Sequence, residues 1–440
     1  MSSGASVSVA PPRGMRDFLP QQVALRDWAI ETIQATYKRY GFSRIETPVL
    51  EHIQLLRGGE GGENLQLIYE VLKRGEKLDK ILETPDFNRD ELSDLGLRFD
   101  LTVPLVRYYS ANQSNLPNPL KSLQIGSVFR AESPQKGRFR QFTQCDIDII
   151  GVKSELAEME LISASSEALL ALGFENFTIL INDRRFLSGL AEHCGFDQET
   201  MPLVFIALDK LEKIGLDNVR KELLDDSRTK TEPTLKLCSI LQVYLDRMQE
   251  KSGKLSFDEL TEIFPSLAGS DCLPSLKKII AAVEKNSNSR FQIKFEPTLV
   301  RGMGYYTGAI FEAKYPGYSG SIAGGGRYDK MVGKFSGRDV PACGFSIGFE
   351  RVIDILTDKG FEPQSAFQKI ALVVDPDRDD PALILEAAAR LRTDGHIVSI
   401  QVRKKDMKKQ LDALVLQGYT QYCPFKGDLD DLELRALAAK

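Results

Sequence analysis

Apolar and polar positions alternate with a period of two through residues 123–129 and again through 138–149, on either side of a polar turn. On the outgoing arm Leu123, Ile125, Ser127 and Phe129 share one face, and Gln124, Gly126, Val128 and Arg130 the other. The turn is Ser133-Pro134-Gln135-Lys136-Gly137. On the returning arm Arg138, Arg140, Phe142, Gln144, Asp146 and Asp148 face one way, while Cys145, Ile147 and Ile149 face the other. The pattern predicts a hairpin with one apolar face and one face carrying arginines, a glutamine and carboxylates.

The period changes along the rest of the chain. Val23, Ile30, Ile33 and Tyr37 fall at helical spacing before Gly41, which predicts a helix over 22–40. A strand interrupted by Pro48 follows over 41–51; proline belongs at a sheet edge, where no ladder bond is lost. Residues 57–96, glycine-rich and charged, read as a loop holding a short strand at 66–71. Residues 97–104 read as a strand with Arg98, Asp100 and Thr102 on one face. A helix is expected over 155–172 and a strand over 177–182. Amphipathic helical stretches at 205–214 and 235–248, with a charged linker at 225–233, then mark 184–288 as an all-helical insertion. After it, Arg301-Gly302-Met303-Gly304 bends into a strand that begins with Tyr305 and Tyr306. Beyond a linker at 358–368, strands at 370–374, 396–402 and 419–423 alternate with helices at 381–392 and 405–416. That order implies a small α/β domain over 369–440.

Composition narrows the class. With 42% hydrophobic and 27% charged residues the chain is an ordinary soluble globular protein of several domains. No apolar run approaches the ~18 residues of a membrane span, and the small, polar N-terminus carries no secretory signal. The six cysteines show no Cys-x-x-Cys spacing, so neither a zinc knuckle nor a disulfide framework is indicated, and a reducing cytoplasm fits. The three scattered histidines offer no metal site or triad. A net charge of −5 argues against indiscriminate nucleic-acid binding while leaving room for a local basic surface. The run Arg403, Lys404, Lys405, Lys408 and Lys409 is such a surface. At a helix start it opposes the helix dipole, which favours a phosphate-binding use.

The hairpin holds the richest chemistry. Guanidiniums near a strand–loop junction suit phosphate oxygens, which they bind bidentately. Carboxylates further along the same face suit a cationic or N–H-bearing group. Phosphates at one end and an amine or azole at the other describe a site that joins a nucleotide to something like an amino acid.

Phe129-Arg130-x-Glu132, the loop, Arg138-x-Arg140-Gln141-Phe142 and the following Gln144 and Asp148 resemble motif 2 of class II aminoacyl-tRNA synthetases, and in detail that of histidyl-tRNA synthetases. The opening PRGMRDFLP, the proline-broken segment (similar to motif 1), RGMGYYTGAIFE and GFSIGFERV (similar to motif 3) extend the resemblance over nearly the whole chain. Many relatives carry Glu at Asp100 and Asp at Gly304.

The resemblance implies an α+β catalytic domain, a class II antiparallel sheet flanked by helices, in two parts (1–183 and 289–358). Around it come the helical insertion, which meets the RNA acceptor arm, and a C-terminal α/β anticodon-binding-like domain that looks shortened. It implies a homodimer paired through motif 1, and ATP-dependent activation of L-histidine followed by transfer to tRNA(His). Arg130 and Arg301 fall to the α-phosphate and Arg351 to the γ-phosphate. Glu132 and Arg138 fall to the phosphates and their Mg2+, with no tightly bound organic cofactor. Asp100, Thr102 and Gln144 would hold the ammonium of histidine, and Asp148, with Tyr305 and Tyr306, its imidazole side. Gln135, Lys136, Lys405 and Lys408 would contact tRNA. Two other readings are a non-catalytic paralogue, such as the regulatory subunit of ATP phosphoribosyltransferase, and a class II synthetase for another amino acid, which RGMGYY disfavours.

Overall fold

The computed structural model describes residues 9–58, 66–134, 138–301, 304–363 and 367–437. Gln135 and Lys136 of the hairpin turn, and Gly302 and Met303, therefore lie outside the described residues. The chain divides into two compact units, one ending at Phe361 and one beginning at Glu362.

Eleven strands of the first unit are described: β1 (Ser43–Arg44), β2 (Leu50–His52), β3 (Tyr69–Leu72), β4 (Ser93–Leu97), β5 (Leu120–Phe129), β6 (Gln141–Ile150), β7 (Thr178–Asp183), β8 (Gln292–Phe295), β9 (Ala309–Lys314), β10 (Ser321–Arg327) and β11 (Ala342–Ile347). Eight form one sheet in the order β1-β5-β6-β11-β10-β9-β7-β8. It is antiparallel through its middle and parallel only where β1 joins β5 and β8 joins β7. The hairpin is its longest pairing, in unbroken register from Leu120↔Ile150 to Phe129↔Gln141.

The alternation in β6 decides the layers. Cys145, Ile147 and Ile149 are buried against the helical side, each contributing of the order of 1.5–3 kcal/mol by leaving water. Against that side packs the helix Pro20–Arg39, itself in contact with Leu156–Ala171. Its buried stripe is Leu25, Ala29, Ile33 and Tyr37, every fourth residue. Val23, expected on that stripe, is 38% exposed, because two residues before Leu25 it falls on the opposite side of the helix.

Two sequence expectations need correction. The proline-broken strand is two strands in two sheets: β1 is an edge of the large sheet, while β2 joins the separate sheet β2-β4-β3. Pro48 lies between them, where the missing N–H costs no ladder bond. The strand at 97–104 ends at Leu97, and Thr102 opens the helix Thr102–Asn112. Asp100 accepts the N–H of Val103 at 3.0 Å and so satisfies that helix start. Arg98 points away from any ligand role: its guanidinium donates to the carbonyls of Ser127 (2.9 Å) and Thr47 (2.8 Å) and ties the two sheets together.

Residues 184–288 contain helices and no strand, from Arg184–Cys194 to Cys272–Ser287. The expected single stretch at 205–214 is two helices, Met201–Asp209 and Leu211–Asp225. Gly215, at φ +77°, kinks the second as only glycine does without strain.

The second unit holds β12 (Lys369–Val374), β13 (Ile397–Val402), β14 (Gln421–Pro424) and β15 (Arg435–Ala436), in the order β13-β12-β14-β15. The first three are parallel, joined through the helices Pro381–Thr393 and Met407–Leu416; β15 adds an antiparallel edge. Asp406 accepts from the N–H of Lys409 at 3.0 Å and caps the second helix, which offsets the lysines crowded at its start. No helix among the described residues is long and apolar enough to cross a membrane.

Candidate active site

The polar face of the hairpin forms one wall of a cavity of 1260 Å3. Its other walls come from β9, β10 and β11, from the segment leading into Thr102, and from the helices at 201–250. Asp100, Thr102, Arg130, Glu132, Arg138 and Gln144 line it, as do Asp148, Arg301, Tyr305, Tyr306 and Arg351. Lys405 and Lys408 belong to the second unit, where neither forms an ion pair among the described residues.

Among the described residues, four arginines line the cavity. Arg130 donates through Nε to the carbonyl of Phe99 at 3.0 Å and lies over the ring of Phe142. Arg138 pairs with Glu132 at 3.2 Å and Arg301 with Glu312 at 3.2 Å. Burial works against the charge of Arg301, but Tyr306, Glu312 and Tyr305 outweigh it and hold its pKa above the usual arginine value. Arg351 donates to the carbonyl of Ser321. The glycine run Gly324-Gly325-Gly326 reads in sequence as a close approach to a planar ligand. The planar group that Gly324 admits is the Arg301 guanidinium, which a Cβ there would strike.

Three buried aspartates line the cavity as well. Asp100, Asp146 and Asp148 are each at most 5% exposed. Tyr328 donates its hydroxyl to Asp148 Oδ1 at 2.6 Å, and Gly344 makes room for that oxygen on the neighbouring strand. Burial raises Asp148 to about 7 and Asp100 to about 6. For Asp148 the Tyr328 bond moderates the rise; for Asp100 the Val103 N–H does so. Burial, followed by the charge of Asp148, pushes Asp146 well above the carboxylate range. Tyr305 and Tyr306 lie tilted against each other with ring centroids 4.7 Å apart, and Tyr305 meets Tyr328 edge-on at 5.9 Å.

Glu350, itself among the lining residues, gathers three other segments. Arg26 grips both its oxygens at 2.8 Å, Arg16 reaches one at 2.6 Å, and the N–H of Thr143 adds a bond at 3.1 Å. Arg16 also stacks on Phe139, beside Arg138. The N-terminal arm thus braces the motif 2 loop against the residue preceding Arg351.

Asp146, Tyr328, Glu312 and Glu350 were not assigned from sequence. Asp146 carried a readable signal, since it alternates with Gln144 and Asp148. The others depend on partners over separations such as 180 residues for Tyr328–Asp148, which no local pattern encodes.

A mostly antiparallel sheet that presents arginines from a hairpin and from a strand–helix junction, together with buried carboxylates, to one cavity defines a class II aminoacyl-tRNA synthetase core. The family model for histidyl-tRNA synthetase matches residues 14–352. The histidine–tRNA ligase of Leifsonia xyli subsp. xyli is 42% identical over 418 residues, covering 94% of each chain. Among solved structures, the histidyl-tRNA synthetase of Nostoc sp. PCC 7120 superposes with a TM-score of 0.73 at 28% identity, over 98% of this chain and 97% of that one. A Bacillus halodurans structure described as an ATP phosphoribosyltransferase regulatory subunit/histidyl-tRNA synthetase shares the fold, with a TM-score of 0.69 at 20% identity over 93% and 97%. The chain belongs to the histidyl-tRNA synthetase family.

Proposed function

We propose that the cavity activates L-histidine with ATP and passes it to the 3′ end of tRNA(His), as a histidine–tRNA ligase does. The chain is an aminoacyl-tRNA ligase by family and by its curated relatives. The observation that carries the site reading is the lining of one cavity, which brings Arg130, Arg138, Arg301 and Arg351 together with Asp100, Gln144 and Asp148. In the first step a carboxylate oxygen of histidine attacks the α-phosphorus and the bond to the pyrophosphate breaks. Arg130 and Arg301 stabilise the charge on the α-phosphate, and Arg351 holds the γ-phosphate. In the second step the terminal tRNA hydroxyl attacks the carbonyl carbon, AMP leaves, and a phosphate oxygen takes the proton. Mg2+ enters as Mg–ATP. The ion would be held chiefly by the phosphates, with Glu132 beside it.

Asp100 and Gln144 take the ammonium, with Thr102 at the helix start, and Asp148 takes an imidazole N–H. Tyr305 and Tyr306 wall the ring. The helices at 184–288 meet the acceptor arm, and the unit over 369–440 reads the anticodon, with Gln135, Lys136, Lys405 and Lys408 as RNA contacts. Exposed Val49, Leu50 and Leu72 around β2 and β3 support a homodimer through the motif 1 region. The cytoplasm is the compartment that six free, buried cysteines suit.

Histidine-dependent exchange of pyrophosphate into ATP, followed by charging of tRNA(His), tests the reading. Histidine binding without exchange would favour the regulatory-subunit alternative. Reversing the charges of Lys405 and Lys408 should leave exchange intact and weaken charging with a reduced salt slope. Unchanged charging would remove them from the RNA surface.

A further inference from the structure

We infer that Asp146 is a third acceptor for the ammonium group of the amino acid, and so a further substrate-binding residue of the reaction. The inference rests on the histidine-activating reading of the cavity.

It begins from a count. Among the described residues nine buried side-chain oxygens have no hydrogen-bond partner. The three that belong to carboxylates, Asp100 Oδ2, Asp146 Oδ1 and Asp148 Oδ2, all line this cavity, and Gln144 Oε1 lines it with them. Unpartnered buried acceptors are costly, and four in one cavity call for a ligand rich in donors. Histidine with a neutral ring offers four N–H groups, three on its ammonium and one on its imidazole. Asp148 is fixed toward one side by Tyr328, which leaves Asp100, Gln144 and Asp146 for the ammonium. The Thr102 hydroxyl is not among the buried unpartnered oxygens.

Position favours the same assignment. Asp146 lies between Gln144 and Asp148 on one face of β6, and its Oδ2 is 3.5 Å from Gln144 Nε2. Its neighbouring charges are Asp148 on the same strand, Asp100 before the helix Thr102–Asn112, and Arg130 at the end of β5; Ser346 of β11 supplies a hydroxyl. Neither nearby arginine is bonded to these carboxylates. The side chain of Arg130 bonds to the carbonyl of Phe99, and that of Arg98 to oxygens of Ser127, Thr47 and Pro48. A cation supplied by the ligand completes the cluster.

The test compares two histidine analogues on the full chain. Histidinol keeps the ammonium and lacks the carboxylate; imidazolepropionate keeps the ring and lacks the ammonium. Asp146→Asn preserves volume and an acceptor for Ser346 but removes the charge. It should weaken L-histidine in the exchange reaction, and histidinol by calorimetry, roughly 10- to 100-fold. The KM for ATP and the affinity for imidazolepropionate should stay within about twofold, and Ser346→Ala should change little. Equal loss for both analogues would make Asp146 a structural residue and overturn the inference, as would unchanged histidinol binding. A wild-type chain that performs the exchange while Asp146→Asn matches it sinks the inference alone. A wild-type chain without exchange sinks the functional reading, and the two analogues still decide the role of Asp146.

Discussion

The arginines and the carboxylates of the cavity differ in how they are completed. Each arginine already has a partner within the protein: Glu132 for Arg138, Glu312 for Arg301, the carbonyl of Ser321 for Arg351 and the carbonyl of Phe99 for Arg130. Three buried carboxylates each keep one oxygen without a partner among the described residues. The contrast follows from acid–base chemistry. A guanidinium cannot shed its proton near neutrality, so it needs a counter-group whether or not ligand is bound. A carboxylate can wait as the neutral acid and ionise when a cation arrives. The arginines are therefore held in place by ion pairs and carbonyl bonds before any ligand arrives, and the carboxylates by their protonation.

The largest expected effect breaks the arginine side of this comparison. Arg301→Ala should lower kcat about a hundred- to a thousandfold, the scale of a lost donor at a developing charge, while the KM for histidine moves only a few-fold. Pre-steady-state measurement of adenylate formation reads this directly. A raised KM with intact kcat would make Arg301 a binding residue.

On the carboxylate side, Asp148→Asn should raise the KM for histidine roughly 10- to 100-fold with ATP affinity preserved, because an N–H of the substrate loses its charged acceptor. Unaltered steady-state kinetics would take Asp148 out of the pocket.

A smaller effect sharpens the picture. Tyr328→Phe removes the hydroxyl that donates to Asp148 Oδ1 and with it a bond that lowers the pKa of that carboxylate. The KM for histidine should rise about three- to tenfold at neutral pH, and its acid limb should move to higher pH. A pH–KM profile identical to that of the unaltered chain would count against the coupling.

The smallest effect is on stability. Asp100 and Asp148 have folded pKa values of about 6 and about 7, above their unfolded values near 4. Their contribution to the ligand-free fold is therefore full below about pH 4 and lost as pH rises through 6 and 7. Melting of the ligand-free chain should show this loss between pH 4 and 7, and stabilisation by histidine should grow over the same interval. The slope should flatten in Asp148→Asn; the same slope in both proteins would mean that other groups govern it.

The physical range of each signal sets what could be read in advance. Alternation in β5 and β6 is a local property, since a strand with one buried face must place its polar residues on the other. The hairpin, its apolar back and its charged front were legible from sequence for that reason, and motif spacing carried the family. Pro48 marked an interruption correctly but not its outcome, because the assignment of β1 and β2 to different sheets depends on Leu123 and Leu97, their distant partners. Thr102 looked like strand because it continued an alternation. It became a helix start because Asp100 satisfies the N–H of Val103.

By itself the sequence determined the elements whose periodicity is repeated over many residues, the two-ended chemistry of the hairpin face, and the family. Only the tertiary structure decided which groups meet: Tyr328 on Asp148, Arg301 over Gly324, Arg16 and Arg26 on Glu350, and Asp146 among the open acceptors. Each of these is a contact between residues far apart in the chain, or a burial that removes water from a charge. Their energies arise from packing and desolvation, which have no local signature in the order of the residues.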